Sequence, residues 1–517
     1  MYKLGIDVGG TNTDAVLIDE ERRVIADIKY PTSADIYDGI LGALRRVLEV
    51  SGVERTQIRQ AMLGTTQCTN AIVERKNLAP IGILRIGAPA TTGIRPMVDW
   101  EEDIQKIAAG SVIIGGGFEY DGKELAPLDT DAARAFFEEM KEKNVKSIAI
   151  SCVFSTVRNE HELEAARLCR EIMGEETHIS ISSEIGSMGL IERENATILN
   201  AALWKVAERF TEGFARSLED EGITCADVYL SQNDGTLMTM EHARRYPILT
   251  VACGPTNSIR GASYLSRLKN AVVIDVGGTT TDLGVIQNGF PRESSVAVTI
   301  GGVRTNFRMP DVLSIGLGGG SVVRVMPDGS VTVGPDSVGY EITEKALVFG
   351  GDVMTATDVA VRLGMTELGD KTKAEAIPME VAQKAMEVIR SMVEDSVDAM
   401  KVSSADVDLI LVGGGSVILP DKINGAASVH KPPHFGCANA IGSAISKVSG
   451  AYEGLMNYDE LPREESLEKA KQEAIELAVR AGAVRKTVEI IEMEDVPLAY
   501  YPGNTNRVKV KAAGDLE

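Results

Sequence analysis

The hydrophobic pattern of this chain is cut into short runs by glycine. Leu4, Gly5 and Ile6 form an apolar run that stops at Asp7, and a second extended segment, Ala15 to Ile18, follows a Gly-rich stretch. A polar turn, Asp19-Glu20-Glu21, leads into a third. The same order returns far downstream: Ala271 to Ile274, a Gly-rich stretch, Leu283 to Ile286, the turn Gln287-Asn288-Gly289, and a further extended segment. Short apolar runs bounded by turn residues predict strands, so each copy reads as an antiparallel hairpin rather than the strand-to-helix turn of a Rossmann unit. After the first hairpin, Ile40, Leu41, Leu44, Val47 and Leu48 recur at helical spacing and predict a helix over 36–50. A short strand, Ala61-Met62-Leu63, then runs into a helix expected from about Asn70 to Lys76. Residues 80–175 alternate strand and helix patterns and read as an α/β insertion, followed by one long helix near 191–218. Leu409-Ile410-Leu411-Val412 is a fully apolar strand ending in Gly413-Gly414-Gly415-Ser416. The closing segment predicts a charged helix over 462–482 and strands at 487–493 and 507–512.

The two hairpins carry an internal repeat. Residues 7–14 read DVGGTNTD and residues 275–282 read DVGGTTTD, so the chain has two related halves. With 517 residues, this predicts an N-terminal lobe with its insertion (1–190), a second lobe (191–455) and a small α+β segment (456–517). The formal charge of −22 argues against nucleic acid or an anionic membrane as the main partner. No apolar run approaches the roughly 18 residues that span a bilayer. The start does not read as a signal peptide, and the six cysteines are scattered without a CxxC pair. A reduced, cytoplasmic protein is the expectation.

Strand-flanked Gly-Gly-Thr turns bring backbone N–H groups to phosphate oxygens with no Cβ in the way. Gly9, Gly10, Thr11 and Asn12 form one such loop, and Gly277, Gly278, Thr279 and Thr280 form the other. Asp7 and Asp275 sit at the loop entries, where carboxylates can hold a hydrated Mg²⁺. Asp14 and Asp282 are placed to orient threonine hydroxyls or a water. Either loop alone is weak evidence, but two copies can grip one polyphosphate from both sides; two structural hairpins kept by duplication is the bland alternative. Gly413, Gly414 and Gly415 leave room for a flat adenosine, or simply turn the chain. The loop Gly316-Leu317-Gly318-Gly319-Gly320-Ser321 suggests no ligand by spacing. Gly64, Thr65, Thr66 and Asn70 open a helix and form the candidate substrate-facing loop, although helix capping explains Thr and Asn there equally well. Cys253-Gly254-Pro255-Thr256-Asn257 opens another. A helix N-terminus would lower the pKa of Cys68 and Cys253, though most loop cysteines are inert. His430 and His434 have a metal-like spacing that the intervening prolines keep from being helical, and a solvated turn is the simpler reading.

DVGGTNTD, GTTQCTNAIVERK, DVGGTTTD and GLGGGS, in this order and spacing, resemble the nucleotide-binding subunit of the hydantoinase/oxoprolinase family. The resemblance covers most of the chain. It implies the fold of the actin, sugar kinase and Hsp70 class, with two RNase H-like lobes closing on ATP. It also implies Mg²⁺ with the nucleotide and ring opening of a cyclic amide such as a hydantoin, 5-oxoproline or another lactam. Carboxylase subunits are relatives in the same family. Members often carry Asp-Ile-His-Thr before the GxGGGS loop, where this chain has Asp311-Val312-Leu313-Ser314, which puts a transition metal there in doubt. Gly254-Pro255-Thr256-Asn257 likewise replaces the family's Gly-Pro-Ala-Gly. Amide hydrolysis is expected to need a second catalytic subunit, and a homo-oligomer is compatible with the sequence. The rival readings are a small-molecule kinase of the same fold and an ATPase that activates a partner enzyme.

Overall fold

The two repeat copies fold into hairpins of the same register. Tyr2–Val8 pairs antiparallel with Asn12–Asp19 so that Asp7 lies opposite Asp14, and Ala271–Val276 pairs with Thr281–Gln287 so that Asp275 lies opposite Asp282. The computed structural model describes residues 1–32, 35–186, 188–294, 298–306, 309–498, 501 and 503–516.

Each hairpin seeds a sheet of one topology. In the first lobe the order is Val24–Pro31, Asn12–Asp19, Tyr2–Val8, Ile58–Thr65, Asp227–Ser231; the first three are antiparallel and the last two run parallel to Tyr2–Val8. The second lobe repeats this with Phe290–Pro291, Thr281–Gln287, Ala271–Val276, Val407–Val412 and Ala426–His430. This is the expected α/β architecture of two RNase H-like lobes. Helix Ile36–Ser51 covers the first sheet with the predicted stripe. Asp35 caps it by accepting the Tyr37 amide, and Gly52, at φ 65°, ends it in the left-handed conformation that glycine adopts without strain.

Sheet membership crosses the expected ranges 1–190, 191–455 and 456–517. Leu237–Thr239, Val448–Asn457, Thr505–Gly514 and Glu489–Pro497 extend the first lobe's sheet to nine strands, so the closing α+β segment is built on that sheet's edge. Its charged helix, Arg463–Arg480, buries Leu467, Ala470, Ala474 and Ala478 against these strands. The insertion is a separate parallel sheet of Ala108–Gly115, Ile81–Ala88, Ser147–Cys152 and His178–Ile181.

Two helices differ from expectation. The long helix is two, Leu190–Ala202 and Trp204–Asp220, broken at Leu203, whose amide is shared between the carbonyls of Leu199 and Asn200. The helix expected from Asn70 starts at once after its strand, spans Gln67–Val73, and ends where Arg75 turns left-handed at φ 57°.

The lobes meet through helices Cys253–Ser266 and Ala438–Ile445, which touch backbone to backbone. A Cβ on Gly261 would lie 1.9 Å from the Ala438 carbonyl oxygen, and one on Gly442 would lie 1.8 Å from that of Asn257. Gly5, in the central strand, would place a Cβ 2.3 Å from the Ala440 carbonyl oxygen. Only glycine permits these approaches. Gly261→Ala or Gly442→Ala should therefore cost about 2–3 kcal/mol, as overpacking of a rigid contact does, and lower the melting temperature by several degrees. Wild-type stability of both variants in a denaturant titration would show that the helices can separate freely.

Candidate functional site

The strand ends, the two Gly-Gly-Thr loops and the first turns of the two interlobe helices converge on one cleft. In both loops the amide after the aspartate-bearing strand closes a tight turn: Gly9 N donates to the Asn12 carbonyl at 3.0 Å, and Gly277 N to the Thr280 carbonyl at 2.9 Å. The next amides, of Gly10 and Thr11 and of Gly278 and Thr279, donate to nothing among the described residues. The loops face one another, since a Cβ on Gly278 would come 3.3 Å from Thr11 Oγ1. Unspent amides on two opposed loops without side-chain obstruction fit a polyphosphate.

Asp7 and Asp14 are buried at 2% and 3% exposure, and Asp275 is half-buried. Asp7 accepts from Asn257 Nδ2 at 3.3 Å and Asn439 Nδ2 at 3.0 Å. Burial, followed by repulsion from Asp14, pushes its carboxyl up to about 7, and Asp275 adds to the repulsion. Asp275 accepts from the Ser258 hydroxyl and is raised by burial. Asp14 holds the Lys29 ammonium at 2.7 and 2.8 Å, yet burial still raises its carboxyl. Asp282 accepts from Ser314 and is pushed up to about 6, again chiefly by burial. Each aspartate at a loop entry rests on a glycine of the neighbouring parallel strand. A Cβ on Gly64 would lie 2.1 Å from Asp7 Oδ1, and one on Gly413 would lie 2.2 Å from Asp275 Oδ1. Asp7 and Asp275 thus stand at the entries of the two loops with raised carboxyls, and carboxylate oxygens beside phosphate amides are the donor type that a hydrated Mg²⁺ takes.

Gly413, Gly414 and Gly415 follow their strand in a 3₁₀ turn beside the second loop. Gly415 has room only for hydrogen, its Cβ position being 2.3 Å from the Gly277 carbonyl oxygen, and Gly414 faces the stem of Lys29. The GLGGGS loop braces the second phosphate loop, with Gly319 N on the Gly277 carbonyl at 3.0 Å and Gly320 N on that of Gly278 at 2.8 Å.

The expected substrate loop is rearranged. Gly64 belongs to the aspartate cluster, and Thr66 Oγ1 donates to the Val8 carbonyl at 3.2 Å. Thr65, 1% exposed, spends its hydroxyl accepting the Gln67 amide where strand turns into helix. Asn70 bonds Thr66 at 3.4 Å and lines a separate hollow of about 130 Å³ with Gln67, Glu74 and Arg209.

The cysteine expectation also reverses, because burial outweighs any helix dipole: the Cys68 thiol is pushed up to about 12, and Cys253 is raised further while donating to the Thr65 carbonyl. His430 and His434 bond different partners, Ser428 and Asp27. Among the described residues, no three His, Cys, Asp or Glu side chains converge in a metal-binding group. Lys29, Ser258 and Asn439 were not singled out by the sequence, and Asn257 and Ser314 entered only as members of longer motifs. Lys29 stands directly opposite Asp14 across the hairpin. Asn257 and Asn439 each lie in the first turns of an interlobe helix, and that repeat was the available signal.

Because the folded Asp7 pKa lies above the ordinary 3.8, its contribution to stability is present below about pH 4 and lost as pH rises through about 7. Asp7→Asn cannot ionise, and its amide can donate to Asn257 Oδ1, which is buried without a partner in the wild type. The variant should be more stable than wild type at pH 8, by an amount on the order of 1–3 kcal/mol, with the gap closing toward pH 4. Denaturant melts at both pH values test this, and lower stability of the variant at pH 8 would contradict the burial argument.

The profile of the hydantoinase/oxoprolinase N-terminal region matches residues 3–173, and that of hydantoinase/oxoprolinase matches residues 193–366. Caprolactamase subunit alpha of Pseudomonas jessenii is 25% identical over 86% of this chain and 65% of its own length. The 5-oxoprolinase 1 of Arabidopsis thaliana is 25% identical over 69% of this chain, which spans 31% of that longer protein. Among solved structures, the ATP-dependent caprolactamase from Pseudomonas jessenii superposes with a TM-score of 0.79 at 20% identity, covering 100% of this chain and 88% of that one. Nucleotide-free acetone carboxylase gives 0.72 at 17% identity, with the same coverage. At these identities the structural likeness establishes the fold.

Proposed function

The chain belongs to the hydantoinase/oxoprolinase family, and from that premise we propose that it is the nucleotide-binding subunit of an ATP-dependent hydrolase that opens a cyclic amide. The observation that carries this reading is the pair of opposed loops with unspent amides, each entered past an aspartate. The named caprolactamase and 5-oxoprolinase relatives support a lactam as substrate, and relatives named as subunits support a second polypeptide.

A lactam carbonyl is a poor electrophile; a phosphoryl group transferred from bound ATP to its oxygen would open the carbon to water, after which the ring C–N bond breaks, the nitrogen leaves as the amine and the phosphate is released to a second water, with Mg²⁺ there to neutralise charge. The chain's own residues position and hold. The amides of Gly10, Thr11, Gly278 and Thr279 cradle phosphate oxygens from both lobes. Asp7 and Asp275 take the hydrated cation, and Asn257, Asn439 and Ser258 fix their carboxylates in place. Lys29 neutralises Asp14 and brings positive charge to the mouth of the cleft beside Gly414. Gly413, Gly414 and Gly415 offer bare backbone to the adenosine. Fixed dipoles and charges of this kind are the main source of catalysis in phosphoryl transfer.

Calorimetry of the full chain with ADP and Mg²⁺ should show binding that weakens at least about tenfold in Asp275→Ala, equivalent to the loss of one charge-assisted contact. With the partner subunit co-purified, a lactam panel should raise ADP release and yield the ring-opened acid with free phosphate. A stable phosphorylated small molecule would instead assign a kinase. Carboxylation of a ketone with bicarbonate would assign the carboxylase branch of the family, and turnover stimulated by protein alone would assign an activator.

A further inference from the structure

The strands that lead into the phosphate loops are about 20–23 Å long, at roughly 3.3 Å per residue. At their far ends lies a second concave site that the nucleotide reading leaves unused. This cavity of about 710 Å³ is bounded on one side by the first lobe's hairpin turn and by Lys447. On the other side stand the end of helix Cys253–Ser266 and Gly289 in the second lobe's hairpin turn. In a chain of net charge −22 its lining includes Arg22, Arg23, Arg260, Arg267, Lys269 and Lys447, with His434, and no carboxylate.

Part of this charge is neutralised from outside the cavity. Arg22 pairs with Asp515 at 2.9 Å, Arg23 with Asp19 and Glu21, His434 with Asp27, and Lys447 with Glu489 at 3.8 Å. Arg260, Arg267 and Lys269 have no ion pair among the described residues. Arg260 is the most constrained of the three. Its guanidinium lies over the Phe290 ring at 4.6 Å and donates to the Gly289 carbonyl at 3.2 Å, and its buried Nε meets no acceptor. Burial and repulsion from Arg22 lower its pKa to about 10, which leaves it charged at neutral pH. The C-terminal ends of helices Cys253–Ser266 and Ala438–Ile445 supply some compensation, but two helix ends together amount to about one negative charge. Three unpaired cations exceed that.

We propose that this rear cavity binds a small, multiply charged oxyanion, a phosphorylated or polycarboxylate metabolite. Its volume falls in the range of metabolite sites, roughly 300–1,000 Å³, and is far too large for a single inorganic ion. The Arg260 guanidinium, fixed by Phe290 and the Gly289 carbonyl, gives the base of the cavity a held positive charge, and the exposed Arg267 and Lys269 line its rim. Because the walls come from both lobes, a bound anion ties the two hairpin turns together.

Pyrophosphate and citrate, titrated separately into the full chain with ADP at saturation and no added Mg²⁺, represent the two sources of such charge. At least one should bind saturably below about 1 mM at low salt, and more weakly as salt rises. The double variant Arg267→Glu, Lys269→Glu changes two exposed residues and should weaken that binding at least about tenfold with ADP affinity unchanged. Arg260→Gln should weaken it independently. Unchanged anion affinity in the double variant would place the probe elsewhere and overturn the proposal, as would the absence of binding by either probe up to about 10 mM.

Discussion

The constraint on which the rest of the structure depends is electrostatic. Asp7, Asp14 and Asp275 are brought near enough in one cleft to raise one another's carboxyls, and Lys29 pairs with Asp14. Taking carboxylates out of water is costly unless hydrogen bonds or counter-charge replace the solvent. Asn257, Asn439 and Ser258 supply the hydrogen bonds, and the N-terminal turns of their helices supply partial positive charge. The compensation is incomplete, since Asp7 stays raised to about 7. A site left short of positive charge is one in which a divalent cation gains more than it would in water.

Backbone proximity makes this arrangement possible. Gly64 and Gly413 let an aspartate lie flat on the neighbouring strand, while Gly261, Gly442 and Gly5 let two helices and a strand approach without side chains between them. These are two levels of one device. The first set brings the carboxylates close to the loops, and the second brings the asparagines close to the carboxylates. A larger residue at Gly442 would move the helix that carries Asn439 and so unload Asp7.

Much of this was legible in the sequence because it is local. DVGGT-x-TD, read twice, contains its own turn, its aspartates and its register, and both hairpins formed as the pattern predicts. What escaped was non-local or one residue out of phase. Asn257 and Asn439 reach Asp7 across 250 and 432 residues, and no spacing rule connects them. Lys29 was closer to hand, but the bulge between Leu17 and Ile18 shifts the pairing of Asn12–Asp19 with Val24–Pro31 by one position. Counted from the turn without that bulge, Asp14 would face Ile28 and the ion pair would be missed. Thr65 illustrates the capping alternative that the sequence already offered. The same hydroxyl that can meet a ligand can satisfy a local amide, and at a strand-to-helix junction the local amide wins.

The two interlobe helices also relate the front of the molecule to its rear. Both begin at the aspartates and end at the basic cavity, so their positive ends face the carboxylates and their negative ends face Arg267, Lys269 and Lys447. Charge of opposite sign is thus held at the two ends of the same pair of rigid rods, which touch through glycine contacts that leave no slack. A rotation of the lobes about that contact would change both the gap between Thr11 and Gly278 in front and the separation of the hairpin turns that wall the rear cavity.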